Sequence, residues 1–329
     1  MNRSVIAVVA LALVAQVAAG QENLLRWFDP EGFGRQKTSV SYDVEHDCSR
    51  SVSEQDAEMG WTTHSTRVFS PIWSDDVNEL SMTAGLDAWD MDTGAIFPDT
   101  GENFPAHLWD VRVGANYRRL LDEGQLLGAR VAVGSPSDKP FAGDEEVSVD
   151  ATGFYRLPAG DNSAWVFLLN YSNTREFCRH IPLPGVGWHW QPDANFELLA
   201  GAPLASVRWQ PAAMEAVELT ASYLLPRTVH GRLGYRVLEQ LELYTAFDWS
   251  HERFLRHDRA DDDDRLYFYS KQVRGGAVWR LSKQVSLEGF AGYAFDRFFF
   301  EGEEYDDRDQ NRIDVSDGAF AGMKLSVRL

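Results

Sequence analysis

The chain has 329 residues, and its 50 acidic and 31 basic side chains give a net charge of −19. So acidic a surface repels phosphate backbones, which argues against nucleic acid as a partner. Aromatic residues make up 12% of the chain and the mean hydropathy is −0.33, which argues against a bundle of membrane helices and suits a barrel or a secreted β-protein.

The first twenty residues have the three parts of a secretory signal peptide. Arg3 supplies the positive start, residues 5–15 are apolar and uncharged, and residues 18–20 are the small residues before Gln21. The apolar run is too short for a spanning helix, which needs roughly 20 residues. We therefore expect residues 1–20 to be removed on export, after which only strands remain to insert the chain into a membrane.

Residues 21–35 show no alternation of apolar and polar side chains, although they contain Trp27, Phe28 and Phe33. This composition leaves two interpretations open. The segment is either a periplasmic tail or a small plug that lies within the domain formed by residues 36–329.

From residue 36 onward, one unit repeats: an alternating strand, a short polar turn and a second alternating strand. The clearest copies are residues 231–249 and 276–293. Short turns of this kind are expected at residues 122–124, 158–162, 191–195, 210–213, 238–240 and 282–284. Longer acidic connections are expected at residues 87–104, 135–147, 174–182, 250–264 and 299–315.

Segregation of short turns and long loops to opposite ends is typical of an outer-membrane barrel. The pattern predicts an all-β fold, a transmembrane up-and-down antiparallel β-barrel of about 16 strands with periplasmic turns and acidic outer loops. The pieces at residues 196–200 and 204–209 are short and separated by Pro203, so barrels of 12 or 14 strands remain alternatives.

The two faces of a strand can be told apart by their charges. In residues 108–118, Trp109 and Val111 lie on one face, whereas Asp110 and Arg112 lie on the other. A charge at the lipid midplane costs about 2–4 kcal/mol, so the charged face is expected to line the lumen.

This reasoning predicts a set of charged lumen residues concentrated toward the turn end of the barrel. They are Arg112, Arg118, Arg156, Arg208, Arg232, Arg236, Arg280, Glu197, Glu218, Glu242 and Glu288. Expected cross-strand ion pairs are Arg236 with Glu242, Arg208 with Glu218, and Arg280 diagonally with Glu288. The pairs either stiffen a polar lumen or form a constriction that selects solutes by charge. Bulky inward residues such as Phe154, Tyr244 and Phe290 are expected to narrow the bore.

The long loops contain clusters of acidic residues. Weak candidates for a divalent-cation site are Asp261, Asp262, Asp263, Asp264, Glu303, Glu304, Asp306 and Asp307, with solvated loops as the alternative. The only cysteines, Cys48 and Cys178, permit one disulfide in an exported protein.

Catalysis is not expected. The nearest acid–base sets are His107 near Asp110, and His251 with Glu252 and Asp248. The sequence contains neither a G-x-S-x-G nor an H-E-x-x-H motif. It also lacks the glycine-rich motifs that bind phosphates, so no cofactor is expected.

The chain ends with Ala321–Leu329, which alternate apolar and polar residues to the last position. With the signal peptide and the repeated hairpins, this strand resembles the bacterial outer-membrane β-barrel superfamily, in particular an uncharacterised subfamily known as a domain of unknown function. The resemblance implies residence in the outer membrane, contact with its lipid and insertion by the barrel-insertion machinery. The superfamily usually ends in Phe where this chain has Leu329.

The leading functional expectation is a passive pore or uptake channel for small hydrophilic solutes through an Arg/Glu-lined lumen. The alternative is a closed barrel whose acidic loops bind a partner, a glycan or divalent cations. A soluble secreted β-protein is the third possibility.

Overall fold

The computed structural model describes residues 25, 27–30, 32–176, 178–225 and 227–329, so the expected signal peptide lies outside the described residues. The strands are β1 Ser39–Ser51, β2 Glu58–Ser74, β3 Asn78–Thr93, β4 His107–Leu120, β5 Leu126–Ser137, β6 Ser148–Pro158, β7 Ser163–Ser172, β8 Leu183–Asp193, β9 Phe196–Ala202, β10 Leu204–Trp209, β11 Val217–Leu224, β12 Thr228–Leu238, β13 Leu241–Phe254, β14 Arg265–Arg280, β15 Val285–Gly302, β16 Ile313–Val315 and β17 Gly318–Arg328. Two short 3₁₀ helices span Asp122–Gly124 and Tyr305–Asp307. Among the described residues, no helix is long and apolar enough to cross a membrane.

The strands form a closed antiparallel ring. Each of β1 to β14 pairs with the next strand, β15 pairs with β17, and β17 pairs with β1, where Val40 lies opposite Val327. The three-residue β16 pairs with β15 within the last connection and is not part of the ring. The barrel therefore has sixteen strands, as predicted, and the 12- and 14-stranded alternatives are wrong because β9 and β10 are both ring strands.

The predicted alternation of faces is present. On β4, Asp110 and Arg112 bond to each other on the inner wall, whereas Val113 on the other face is half exposed. Large exposed apolar side chains recur around the exterior, including Val131, Leu169 and Leu243.

Short turns and long connections lie at opposite ends, which we name the turn end and the loop end. The chain begins and ends its barrel at the turn end, where the Leu329 N–H donates to the Thr38 oxygen at 2.8 Å. Strands β3, β13 and β15 run further into the predicted loops than expected. The loop ends of β14 and β15 are buried on both faces, so aromatic runs such as Tyr267–Tyr269 replace the alternation of apolar and polar residues that marks a strand with one face in water.

The loop end of β13 crosses the mouth of the barrel. Strands β5 and β13 lie eight places apart in the ring of sixteen, on opposite sides. Nevertheless, the Leu255 N–H donates to the Pro136 oxygen at 2.6 Å, and Leu255 forms an isolated parallel bridge with Ser137. The crossing divides the mouth into two halves.

The half bounded by β1–β5 and β13–β17 is filled by a buried apolar cluster. Its residues are Val52, Met59, Trp61, Trp89, Met91, Ala95, Phe97, Phe104, Leu108, Phe254, Leu266, Phe268, Phe299, Ile313 and Val315. Beyond the crossing strand, Arg253 donates to the Thr174 oxygen at 3.0 Å and Arg227 bonds to Glu176 at 3.2 Å. Loop packing thus closes both halves of the loop end.

The described part of the N-terminal segment lies against the inner wall at the turn end. Leu25 and Phe28 are buried in a cluster with Phe154 and with inward apolar residues of β5, β7 and β9–β11. Arg118 donates to the backbone oxygens of Trp27 and Asp29 at 3.4 and 3.3 Å. The segment therefore covers one side of the lumen.

Candidate functional site

The predicted charges of β10–β15 form a group of ion pairs at the turn end. Arg208 bonds to Glu218 at 3.1 Å, as expected. Glu242 bonds to Arg232 at 2.9 Å and to Arg280 at 3.3 Å.

Two of the expected pairs are replaced by other contacts. Arg236 lies opposite Glu242 in the strand register, but the ion pairs of Glu242 are those with Arg232 and Arg280. Glu288 accepts a hydrogen bond from the Tyr244 hydroxyl instead of pairing with Arg280. The register of the strands determines which charged side chains lie near one another, whereas the length of each side chain determines which of them form an ion pair.

The remaining predicted lumen charges do not join this group. Arg118 bonds to Glu79 at 2.6 Å beneath the N-terminal segment, and both side chains are buried. Other contacts are those of Arg112 with Asp110 at 2.6 Å, Arg156 with the Gly124 oxygen at 3.2 Å, and Glu197 with His189 at 3.0 Å. The predicted residues therefore form separate contacts around the wall.

The inward aromatic residues that are expected to narrow the bore lie over glycines of the wall. Phe154 faces Gly128 across the ladder, and Tyr244 faces Gly276. A Cβ at Gly128 would lie 2.0 Å from the Phe154 ring, and one at Gly276 would lie 2.7 Å from that of Tyr244. Each ring thus lies against the wall over its glycine. Phe290 and Phe320 lie over Gly322 and Gly292 in the same way.

Sequence reasoning missed a second tier of lumen charges nearer the loop end. Here Arg67 bonds to Asp87 at 2.5 Å, and Asp248 bonds to Arg274 at 3.3 Å and to His230 at 2.5 Å. The sequence could have revealed these residues, because they lie at the alternate, inward-facing positions of their strands, the same criterion that identified Arg112.

Buried ion pairs hold the closed loop end together. We call the crossing end of β13, with the connections at residues 94–106, 138–147 and 255–264, the lid. Arg256 bonds to Glu301 through two hydrogen bonds of 2.8 and 3.0 Å, and to Glu102 at 2.7 Å. Arg259 and His257 both approach Glu146, at 3.5 and 3.2 Å. Ion pairs as well as apolar packing therefore stabilise the closed lid.

The suggested acid–base sets do not converge. His107 bonds to Asp90 at 3.0 Å on the outer surface, whereas Asp110 faces the lumen. His251 stacks on Tyr269 with ring centroids 4.4 Å apart, on the face of β13 opposite to Asp248 and Glu252. Side chains an odd number of positions apart in a strand point to opposite faces.

Part of the predicted acidic set meets in one groove at the loop end. Its lining is Asp261, Asp264, Glu303, Glu304, Asp306, Asp307 and Gln310. Asp263 instead bonds to Arg179 at 2.6 Å. Partial burial and the neighbouring carboxylates, beginning with Glu301, raise the pKa of Asp264. Among the described residues, no group of three His, Cys, Asp or Glu is arranged to hold a metal ion.

The disulfide that the two cysteines would permit is not formed. Cys48 and Cys178 are both free thiols. Cys48 belongs to β1, whereas Cys178 lies in the connection between β7 and β8, on the opposite side of the ring.

No protein-family model matches this sequence, and no curated protein matches it. Among solved structures, an outer membrane channel from Pseudomonas putida F1 is 12% identical, with 89% of this chain and 96% of that chain covered and a TM-score of 0.40. A FadL homologue from Pseudomonas aeruginosa is 11% identical, with coverages of 91% and 94% and a TM-score of 0.34. The translocator domain of the autotransporter NalP from Neisseria meningitidis is 12% identical, with coverages of 94% and 95% and a TM-score of 0.30.

Proposed function

We propose that this protein is an outer-membrane channel for small hydrophilic solutes, closed at its loop end by the lid in the conformation described. The carrying observation is a closed barrel with an apolar exterior and two tiers of charged residues on its inner wall. A bilayer stabilises such an exterior, and solutes that carry hydrogen-bonding groups suit such an interior.

The turn-end part of the lumen offers an entrance. The side chains of Arg208 and Arg280 are each 44% exposed, whereas Arg118 beneath the N-terminal segment is buried. We infer that the N-terminal segment acts as a plug for one side of the turn end and leaves the side of β10–β15 accessible.

The lid makes the channel gated rather than permanently open. Opening requires the Leu255–Pro136 hydrogen bond to break and the Arg256–Glu301 pair to separate. Loss of Glu301 would leave Arg256 with Glu102 as its carboxylate partner, so the closed lid should lose part of the about 3–5 kcal/mol that breaking a buried ion pair costs. Loss of Glu301 should therefore favour the open lid.

Planar-bilayer recording of the purified full chain tests this function. The wild type should give infrequent conductance steps, and Glu301→Ala should open more often with the same step size. Glu239→Ala, in an exposed turn at the opposite end, is the matched control and should behave like the wild type. Silence of both the wild type and Glu301→Ala would overturn the proposal.

One observation favours a second function. Among the described residues, those lining the groove at the loop end include six carboxylates and neither lysine nor arginine. A closed barrel that binds a basic partner through this groove would be silent in bilayers, but it would gain thermal stability on addition of a basic peptide.

A further inference from the structure

One part of the outer wall is polar where the wall should face lipid. Three consecutive outward positions of β2 are occupied by Thr62, His64 and Thr66. On β7, by contrast, outward positions are occupied by apolar side chains such as Phe167 and Leu169, as a surface in contact with lipid requires. The outer face of β2 therefore departs from the pattern that identifies the barrel.

Two residues of β1 extend this polar surface. The Tyr42 hydroxyl lies 2.7 Å from Nδ1 of His64, and Nδ1 of His46 lies 3.0 Å from the Thr62 hydroxyl. We call Tyr42, His46, Thr62, His64 and Thr66 the outer patch.

The outer patch begins within the apolar band. Thr66 lies opposite Leu86 of β3, and Leu86 lies opposite Val111 of β4. On the outward face of β4, Val111 is flanked by Trp109 and Tyr117, and aromatic residues of this kind mark the two limits of the hydrocarbon region. Lipid headgroups therefore lie too far toward the loop end to cover Thr66.

Some hydrogen-bonding groups of the outer patch are left over. Among the described residues, neither the Thr66 hydroxyl nor Nε2 of His46 has a hydrogen-bond partner, and Nε2 of His64 is 3.9 Å from the Asp90 carboxylate, which is too far for a hydrogen bond. Hydrocarbon chains offer these groups no partner, so exposing them to lipid is unfavourable.

Small side chains lie beside the outer patch. The row of opposed residues that leads away from His46 passes through Ala321, Ala291 and Gly275. In the next row, a Cβ added to Gly289 would meet nothing within 4 Å. Small residues let a second protein surface approach closely, as they do between helices in membranes.

We propose that this face binds a second copy of this chain within the membrane, with the outer patches of the two copies packed about a two-fold axis. A two-fold contact places identical surfaces against each other, so the surface must be complementary to itself. Hydroxyl and neutral imidazole groups meet this condition because each can both donate and accept a hydrogen bond. The inference goes beyond the proposed channel and does not depend on conductance.

Oxidative cross-linking in lipid vesicles tests the contact. Thr66→Cys, made in a Cys48→Ser/Cys178→Ser background, should form a disulfide-linked dimer on oxidation, because the two copies of this position meet near the axis. Leu169→Cys in the same background is the control. It is also lipid-facing and 53% exposed, but it lies on β7, five places from β2 in the ring, and should remain uncross-linked.

Native mass spectrometry of the full chain released from nanodiscs measures the assembly. The wild type should appear as two copies, and Gly289→Trp should appear as one, because the indole would separate the small-residue surfaces. Gly231→Trp on β12 is the matched control, since its added Cβ also meets nothing within 4 Å, and it should keep two copies.

If Gly289→Trp does not fold, the double variant His64→Leu/Thr66→Val, which makes the outer patch apolar, should also lose the second copy. A wild type that appears as one copy would overturn the proposal, whether or not it retains lipid. Cross-linking of Leu169→Cys as strong as that of Thr66→Cys would overturn it too.

Discussion

The Leu255 N–H donates to the Pro136 oxygen at 2.6 Å. Leu255 directly follows β13 and Pro136 lies near the end of β5, and these two strands are on opposite sides of the ring. A hydrogen bond between such strands requires one of them to bend across the mouth. The lid is thus an extension of the wall of the barrel.

A disulfide at the crossing should lock the channel reversibly. Ser137→Cys with Leu255→Cys, made in a Cys48→Ser/Cys178→Ser background, joins two bridged positions whose spacing suits an S–S bond. We expect conductance to vanish on oxidation and to return on reduction.

The control for the lock is Thr38→Cys with Ser70→Cys in the same background, where the wild-type hydroxyl oxygens lie 3.3 Å apart at the turn end. Its oxidation should leave conductance unchanged. If the oxidised Ser137/Leu255 variant conducts like its reduced form, the lid is not the gate.

Charge reversal at the turn end should alter ion selectivity. Arg280→Glu removes a partner of Glu242 and adds a second carboxylate beside it, so cations should be favoured. A change of about 1 kcal/mol, about fivefold in the cation-to-anion permeability ratio, is the expected size. Reversal potentials under a salt gradient measure it. Arg119→Glu, on the outer face of the same end, should leave the ratio unaltered.

The Arg297–Asp47 pair should contribute strongly to stability. Their atoms lie 2.9 Å apart, and both side chains are 1% exposed. Asp47→Ala leaves the guanidinium group buried without its carboxylate and should cost about 3–5 kcal/mol in the free energy of unfolding.

Urea unfolding followed by tryptophan fluorescence measures this loss. Asp258→Ala is the comparison, because its 2.8 Å pair with Lys139 is largely exposed and should matter little. Equal losses in the two variants would contradict a special role for the buried pair.

A side chain at Gly276 should push the Tyr244 ring away from the wall. Its Cβ would lie 2.7 Å from that ring, so Gly276→Val should cost about 1–3 kcal/mol and reduce the single-channel conductance. Gly231→Val on β12 is the matched control, because nothing lies within 4 Å of the added Cβ. The temperature of unfolding on semi-native gels separates the two variants, and identical temperatures would refute the wall-packing account.

The acidic groove should become more stable as the pH falls. Burial and nearby carboxylates raise the pKa of Asp264, so its protonated form is favoured by the folded loops. Stability from this group is complete below the unfolded pKa and is lost as the pH rises through the higher folded pKa. Loop proteolysis should therefore be faster at pH 7 than at mildly acidic pH. Asp264→Asn should slow proteolysis at pH 7 and flatten the dependence of the proteolysis rate on pH. An unchanged pH dependence would show that a group other than Asp264 causes it.

The ring itself could be predicted because lipid and water impose opposite requirements on alternate residues. Charges such as Asp110 and Arg112 identify the inner face, and a shift of one residue would reverse it. The same alternation extends to Arg67 and Asp248, so the second tier of lumen charges was within reach of the sequence.

The partners of those charges were harder to predict. Glu242 bonds to Arg280, a diagonal neighbour on β14. It also bonds to Arg232, four residues from its register partner Arg236, because its carboxylate lies over Gly234 between them. The placement of Phe154 over Gly128 likewise depends on the register between two strands, which periodicity within one strand does not specify.

By itself, the sequence determined that the chain forms alternating strands, which face of each is apolar and which end carries the long connections, since these follow from local periodicity and turn composition. The strand number was predicted as about sixteen, and the pairing of β9 with β10 decided it. Only the tertiary structure decided that β13 crosses to β5 and that apolar packing closes the mouth. Those features join residues more than a hundred positions apart, and their contacts arise only once the ring has closed.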